Sequence, residues 1–301
     1  MNGLDFEQVD LISSIVSMGL VKPTSSPFSV SNQPPKHIQA QIQKTQEKVP
    51  TRFEFEKKIT ILLGRISCIA VTDDNRLLMC NDMRACTDTG EQIQACTISN
   101  RVFSIAIIPH TDEAVVSLAD EKIIQFVNIS RMMPCRQLQV FIEDKSIYGI
   151  AVIRDSIIVG GSFSNVYLIE KINGKCLKTF KVGTGSISSL VSFTSGEDEL
   201  LYCCEFDGNM TVQSMKLDGT LISSCKLNKP MGITIDTKGN LYVTCYRSNE
   251  LHRLSSDCKE DNILLMKSDG IDKPMSVAFN KTFTKLYISN NDKSVLIFKC
   301  K

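Results

Sequence analysis

The sequence predicts an all-β fold, a six-bladed β-propeller. Three observations predict it: a repeat of near-constant period, a period-two hydrophobic alternation inside each repeat, and an unpartnered strand ahead of the first one. The unit is clearest over 230–243, PMGITIDTKGNLYV, where two short alternating apolar runs flank a polar turn. Such a pattern reads as two antiparallel strands. It recurs as RISCIAVTDDNRLLMC from Arg65 and KPMSVAFNKTFTKLYIS from Lys273. Weaker copies are RVFSIAIIPHTDEAVVS from Arg101, SIYGIAVIRDSIIVGG from Ser146 and SISSLVSFTSGEDELLYCC from Ser186. The central aliphatic residues of the first strands are Ile69, Ile105, Ile150, Leu190, Ile233 and Val277, spaced 36, 45, 40, 43 and 44 residues apart. Each unit continues into a third apolar stretch, such as 165–169, 251–254 or 294–298. A period of about forty residues with four strands per unit is that of a propeller blade. A helical solenoid is excluded, because the alternation has period two and no 3.6-residue stripe.

In chain order, residues 1–20 come first as a short amphipathic helix over 5–18, closed by Gly19. Leu4, Leu11, Ile15 and Met18 fall on a heptad seam, about two heptads against the three or four that define a coiled coil. The segment is either the tail of a longer dimerising helix, which would make the chain a homo-oligomer, or a helix that docks on the remainder. Residues 21–51 turn to Pro, Ser, Gln and Lys (KPTSSPFSVSNQPPKHIQAQIQK), too polar to bury enough surface to fix a backbone. They read as a disordered linker. Residues 52–301 hold the propeller. The sixth unit has room for three strands before Lys301, while FEFEKKITILL at 53–63 is strand-like with no partner of its own. Placed as the outer strand of the last blade, this N-terminal strand closes the ring and removes an open edge.

Composition narrows the function classes. The 301 residues carry 34 Lys+Arg against 33 Asp+Glu, a net charge of +1, so no chain-wide electrostatic role such as a basic nucleic-acid binder is expected. Hydrophobic residues at 43% against 22% charged describe a globular chain with ample core. Asp5, Glu7 and Asp10 stand where a secretory signal carries Lys or Arg. No run of 18 apolar residues appears, so no membrane association is expected. Of the twelve cysteines, Cys68, Cys80, Cys203, Cys204 and Cys245 fall inside apolar strand-like runs, where cysteine acts as a small hydrophobe. There is no CxxC, so a ribbon, RING or B-box zinc site is unsupported. The glycosylation-type triplets at Asn128, Asn209 and Asn280 are read as chance matches. These features predict a reduced, cytoplasmic protein.

The string at 230–243, the polar loop 246–251 and the third strand to Leu254 resemble an NHL repeat. The resemblance is strongest in blade five, good in blades six and one, and loose in blades two to four. A WD40 assignment is disfavoured by the absence of Trp. An NHL propeller behind a polar linker and a helix is similar to the C-terminal part of tripartite-motif (TRIM-NHL) proteins. There, RING and B-box zinc domains and a coiled coil precede the propeller. The resemblance implies the substrate-recognition part of a ubiquitin ligase, with a protein or an RNA as target. Ligase activity itself transfers to no residue, because no Cys or His precedes His37. The expected function is a non-catalytic interaction module with a protein partner. Single-stranded RNA binding is the alternative, and a metal-dependent propeller hydrolase or lyase a more distant one.

The candidate site follows from the repeat. Four residues before the blade markers stand Arg65, Arg101, Ser146, Ser186, Lys229 and Lys273, with Lys145 one position earlier in blade three. In a propeller these positions open the innermost strands, so the cations form a ring at one end of the central channel, where converging charge attracts phosphates or carboxylates. The loops around Arg84, Phe163 and Arg247 reach the same face. The loop acids Asp82, Asp120, Glu121, Glu205, Asp207 and Asp292 are expected to neutralise the ring through weak surface pairs. Phe163, Phe206 and Tyr246 are the aromatic candidates for stacking on bases.

Catalytic chemistry finds little support. His37, His110 and His252 fall in the linker, a turn and a third strand, and do not converge on a metal. A calcium site needs carboxylates around the channel, whereas the first strands offer Cys, Ile, Ala, Ser, Thr and Val. GxSxG is absent. Gly160-Gly161 and Gly183-Thr-Gly185 open no helix and read as blade turns. No catalytic residue, metal or cofactor is expected.

Overall fold

The computed structural model describes residues 50, 52–61, 64–80, 83–98, 100–195, 198–291 and 293–301; the expected helix at 1–20 and all of the expected linker but Pro50 lie outside them. Strand β1 (Phe53–Thr60) comes first. The first complete sheet is β2 (Ile69–Val71), β3 (Leu77–Met79), β4 (Arg84–Cys86) and β5 (Gln92–Ala95). The second is β6 (Val102–Ile107), β7 (Glu113–Leu118), β8 (Ile123–Asn128) and β9 (Met133–Gln139). The third is β10 (Ile147–Ile153), β11 (Ser156–Gly161), β12 (Asn165–Glu170) and β13 (Cys176–Lys181). The fourth is β14 (Ile187–Ser195), β15 (Asp198–Glu205), β16 (Thr211–Lys216) and β17 (Leu221–Lys226). The fifth is β18 (Pro230–Ile235), β19 (Leu241–Cys245), β20 (Glu250–Leu254) and β21 (Asp261–Leu265). In the sixth, β22 (Val277–Phe279), β23 (Lys285–Ser289) and β24 (Ser294–Cys300) run in order, and β1 lies antiparallel beside β24 as its fourth strand.

Six antiparallel four-stranded sheets make a propeller because of how their first strands meet. β2, β6, β10, β14, β18 and β22 touch one another in that order and back to β2, so they stand around one axis. All six marker aliphatics lie in these inner strands. Burial falls outward along a blade: β3 is buried throughout and β5 exposed throughout. The side chains of the middle strands pack sheet on sheet and form six separate apolar clusters, one per seam between neighbouring blades. The seam between blades six and one is of the same kind, with Ile69, Leu77 and Met79 against Tyr287, Val295 and Ile297. Each buried aliphatic side chain contributes about 1.5–3 kcal/mol of transfer free energy.

The turn chemistry is local. Between β18 and β19, Asp236 Oδ1 accepts the N–H groups of Lys238 and Asn240 at 2.9 Å each, and Gly239 takes φ 85° at the corner. An L side chain rarely adopts that conformation.

The inner strands share a second device. Register shifts mark the first turn of β6, β10, β14 and β18, where one extra residue bulges. A hydroxyl from the neighbouring strand takes up the backbone N–H near this point. Ser117 Oγ accepts from Ser104 N–H at 3.1 Å, Thr244 Oγ1 from Gly232 N–H at 3.0 Å, and Ser289 Oγ from Ser276 N–H at 2.9 Å. Ser117 also donates to Tyr148 O at 2.6 Å, which stitches blade two to blade three. In blade one the corresponding pair is Cys68 and Cys80, joined by Cys80 N–H to Cys68 O at 2.9 Å. All twelve cysteines are free thiols.

Candidate functional site at the channel mouth

Antiparallel order sorts the loops. Connections into a first strand, and those from a second strand to a third, emerge at the same end of every blade. Arg65, Arg101, Lys145, Lys229 and Lys273 precede inner strands, Arg84 opens β4, and Phe163 and Arg247 lie between second and third strands. The eight candidates therefore share one end of the propeller.

Around the axis at that end runs a chain of aromatic and cationic side chains. The Phe103 and Tyr148 rings, on β6 and β10, lie 4.9 Å apart. Tyr148 meets Phe206, in the β15–β16 loop, edge to face at 6.0 Å. Lys229 Nζ stands 5.8 Å from the Phe206 ring centre and 5.1 Å from that of Tyr246. Arg65 Cζ stands 5.7 Å from the same Tyr246 ring, and its Nη2 donates to Asn291 Oδ1 at 2.7 Å. Blades one to five each contribute to this collar. An ammonium or guanidinium within about 6 Å of a ring centre is held there by the ring quadrupole, so Lys229 and Arg65 are fixed over Tyr246.

The remaining candidates sit around it. Arg101, Lys145 and Lys273 are exposed. The Arg247 guanidinium reaches Met210 Sδ at 3.7 Å. Phe163 is 51% exposed, its backbone N–H held by Asp144 Oδ2 at 2.8 Å. Arg84 is tied sideways within its own blade through Nη1 to Gln92, and does not join the collar. Phe103 and Tyr148 were not among the sequence candidates. Their signal was the repeat: each lies two residues before its blade marker, where β6 and β10 bulge.

The expected neutralisation by loop acids fails for Glu205 and Asp207. Glu205 is fully buried, and its oxygens accept from Thr184 N–H at 2.7 Å, Gly185 N–H at 2.6 Å and Thr211 Oγ1 at 3.0 Å. Asp207 accepts from the N–H and hydroxyl of Ser186. Asp144, beside Lys145 in sequence, is likewise buried and accepts from Tyr167 Oη at 2.7 Å and Asn165 Nδ2 at 2.6 Å. These carboxylates fasten loops rather than pairing with the cations. Among the described residues, no ion pair involves Arg65, Arg101, Lys145, Lys229, Lys273 or Arg247. Asp82 and Asp292 lie outside the described residues.

Histidine is dispersed. His110 stands in the β6–β7 turn at φ 61°, and His252 is held between Asp261 at 2.7 Å and Glu250 at 3.1 Å. His37 lies outside the described residues. Among the described residues no helix is long and apolar enough to cross a membrane.

Below the mouth, three residues along from Arg65, lies the half-buried Cys68. A hydrogen bond with the Cys80 thiol pulls the Cys68 thiol down to about 6 despite burial, helped by the hydroxyls of Ser104 and Ser276. Burial and the adjacent Cys68 push the Cys80 thiol well up. The lowered value makes Cys68 a thiolate above about pH 6 and a thiol below it. Iodoacetamide labelling of the folded chain is expected to rise at Cys68 with a midpoint near pH 6. Cys203, pushed up to about 12 by burial, stays unlabelled over the same range. Peptide mapping of the labelled protein reads both, and a Cys68 midpoint near 9 would contradict the assignment.

No protein-family model and no curated protein matches the sequence.

Proposed function

We propose that the chain is a non-catalytic interaction module of NHL type that recognises a protein target with the mouth of its propeller. It would serve as the target-recognition part of a TRIM-NHL-like ubiquitin ligase. The support is the collar itself: Lys229 and Arg65 are held over Tyr246 without an ion-pair partner among the described residues. A charge that is fixed in place and left unpaired is ready to accept an external anion at small entropic cost. Arg101, Lys145, Lys273 and Arg247 extend the surface, and Phe163 adds an exposed apolar anchor.

The protein reading is preferred to RNA on the state of the aromatic rings. Sequence-tolerant binding of single strands depends on free ring faces for stacking. Here Tyr246 is engaged by two cations, Phe206 by Lys229 and Tyr148, and Phe103 by Tyr148, which leaves Phe163 as the exposed ring among the stacking candidates. The test is to compare partners retained by the wild-type chain and by the Arg65→Glu/Lys229→Glu variant. Loss of partners with the fold intact supports the reading, and an unchanged partner set contradicts it.

A further inference from the structure

We propose that the segment recognised at the mouth is an acidic, extended peptide whose carboxylates seat on Arg65 and Lys229, with Arg101 and Lys145 taking neighbouring acids. This rests on the reading that the mouth is the recognition face, and adds the chemistry of the ligand. Three observations carry it.

The first is convergence. The cations precede inner strands that ring a single axis, and two of them, Arg65 and Lys229, reach the same Tyr246 ring. A nucleic-acid strand neutralises its phosphates along a track, whereas a ring of this kind suits a few carboxylates on a short segment.

The second is donor geometry. Arg65 gives Nη2 to Asn291 and its guanidinium lies against Tyr246. That leaves planar donors for two-point contact with a carboxylate. Lys229 supplies a point charge between Phe206 and Tyr246.

The third is where the unspent acids lie. Exposed Glu121 sits in the β7–β8 loop, where its carbonyl accepts from Gln139 Nε2 on the outer strand β9, whereas Asp120 follows Ala119, whose N–H bonds Arg101 O. Glu143 lines a groove with Lys122 and with Cys176 and Thr179 of the outer strand β13. Glu121 and Glu143 are at the periphery of blades two and three, so they repel an acidic segment from that rim and direct it toward the centre. Beside the centre, Phe163 and the Met210–Arg247 contact offer apolar surface to residues that alternate with the acids.

The experiment is fluorescence anisotropy with the full chain and three labelled ligands: a short peptide alternating Glu with Gly and Ser, its Gln counterpart, and an oligouridine. The Glu peptide is expected to bind at least about tenfold tighter than the Gln peptide and to weaken when salt is raised from about 0.05 to about 0.5 M. Arg65→Gln/Lys229→Gln is expected to lose that preference, and Arg101→Gln/Lys145→Gln to reduce it. Lys175→Gln/Lys238→Gln, at the opposite end of the propeller, is expected to keep it. Equal binding of the two peptides, tighter binding of oligouridine, or a preference that survives Arg65→Gln/Lys229→Gln would overturn the proposal. Where the Glu peptide fails but the charge-reversed variant still loses its natural partners, the ligand chemistry falls and the recognition face stands. Where the partners also persist, both fall.

Discussion

Replacing Arg65 and Lys229 together with glutamate is expected to abolish target binding while lowering the melting temperature by no more than about 10 °C. Both side chains sit on the channel mouth and make no ion pair among the described residues, so reversal leaves no buried partner uncompensated. What the fold loses is three cation–ring contacts, worth about 0.5–1 kcal/mol each at an exposed site, and one hydrogen bond from Arg65 to Asn291. What the mouth loses is larger. The two charges nearest Tyr246 change sign, and a ligand carboxylate meets repulsion where it met attraction. Binding and thermal melting measured on the same preparation separate the effects. A large fall in melting temperature would mean that the collar holds the blades together, and intact binding at unchanged stability would place recognition elsewhere.

Gly232→Ala is expected to destabilise the propeller by about 3 kcal/mol, near the upper end for overpacking at a backbone contact. A Cβ on this inner-strand residue would fall 2.7 Å from Ser276 Cα and 2.8 Å from Met275 O, both backbone atoms of the next blade. Neither can swing aside as a flexible side chain can, so β22 must move relative to β18. The N–H of Gly232 is also tied to Thr244 Oγ1 at 3.0 Å, which resists a compensating shift of β18. For a domain of this size the loss corresponds to a melting temperature lower by about 6–12 °C. Calorimetry on the single variant checks it. An unchanged transition would show that the inner strands tolerate a wider ring.

The blades were legible because burial imposes a period that sequence carries directly. Ile69, Ile105, Ile150, Leu190, Ile233 and Val277 stand in six inner strands since each must face a seam, and a strand repeats its facing every second residue. The turn at Asp236, Gly239 and Asn240 was equally readable, because its side chains bond to their own backbone. The position of the cations followed from the same alternation. Their state did not. Glu205 and Asp207 read as surface acids from sequence, yet one is fully buried and both are consumed by backbone N–H groups of the blade three-to-four connection. Whether a carboxylate pairs with a neighbouring cation or fastens a loop depends on contacts between blades, which no local pattern records. Phe103 and Tyr148 were missed for a similar reason. An aromatic residue in a strand reads as core, and only the ring of inner strands brings these two to Phe206.

The most direct test of the mouth as the recognition face is lysine-reactive footprinting of the full chain, free and bound to the partner it retains. Mass spectrometry then reports the labelling of each lysine. The expected result is protection of Lys145, Lys229 and Lys273 on binding, with Lys175 and Lys238 at the far end labelled as in the free chain. Protection at Lys175 and Lys238 with Lys229 unchanged would contradict it.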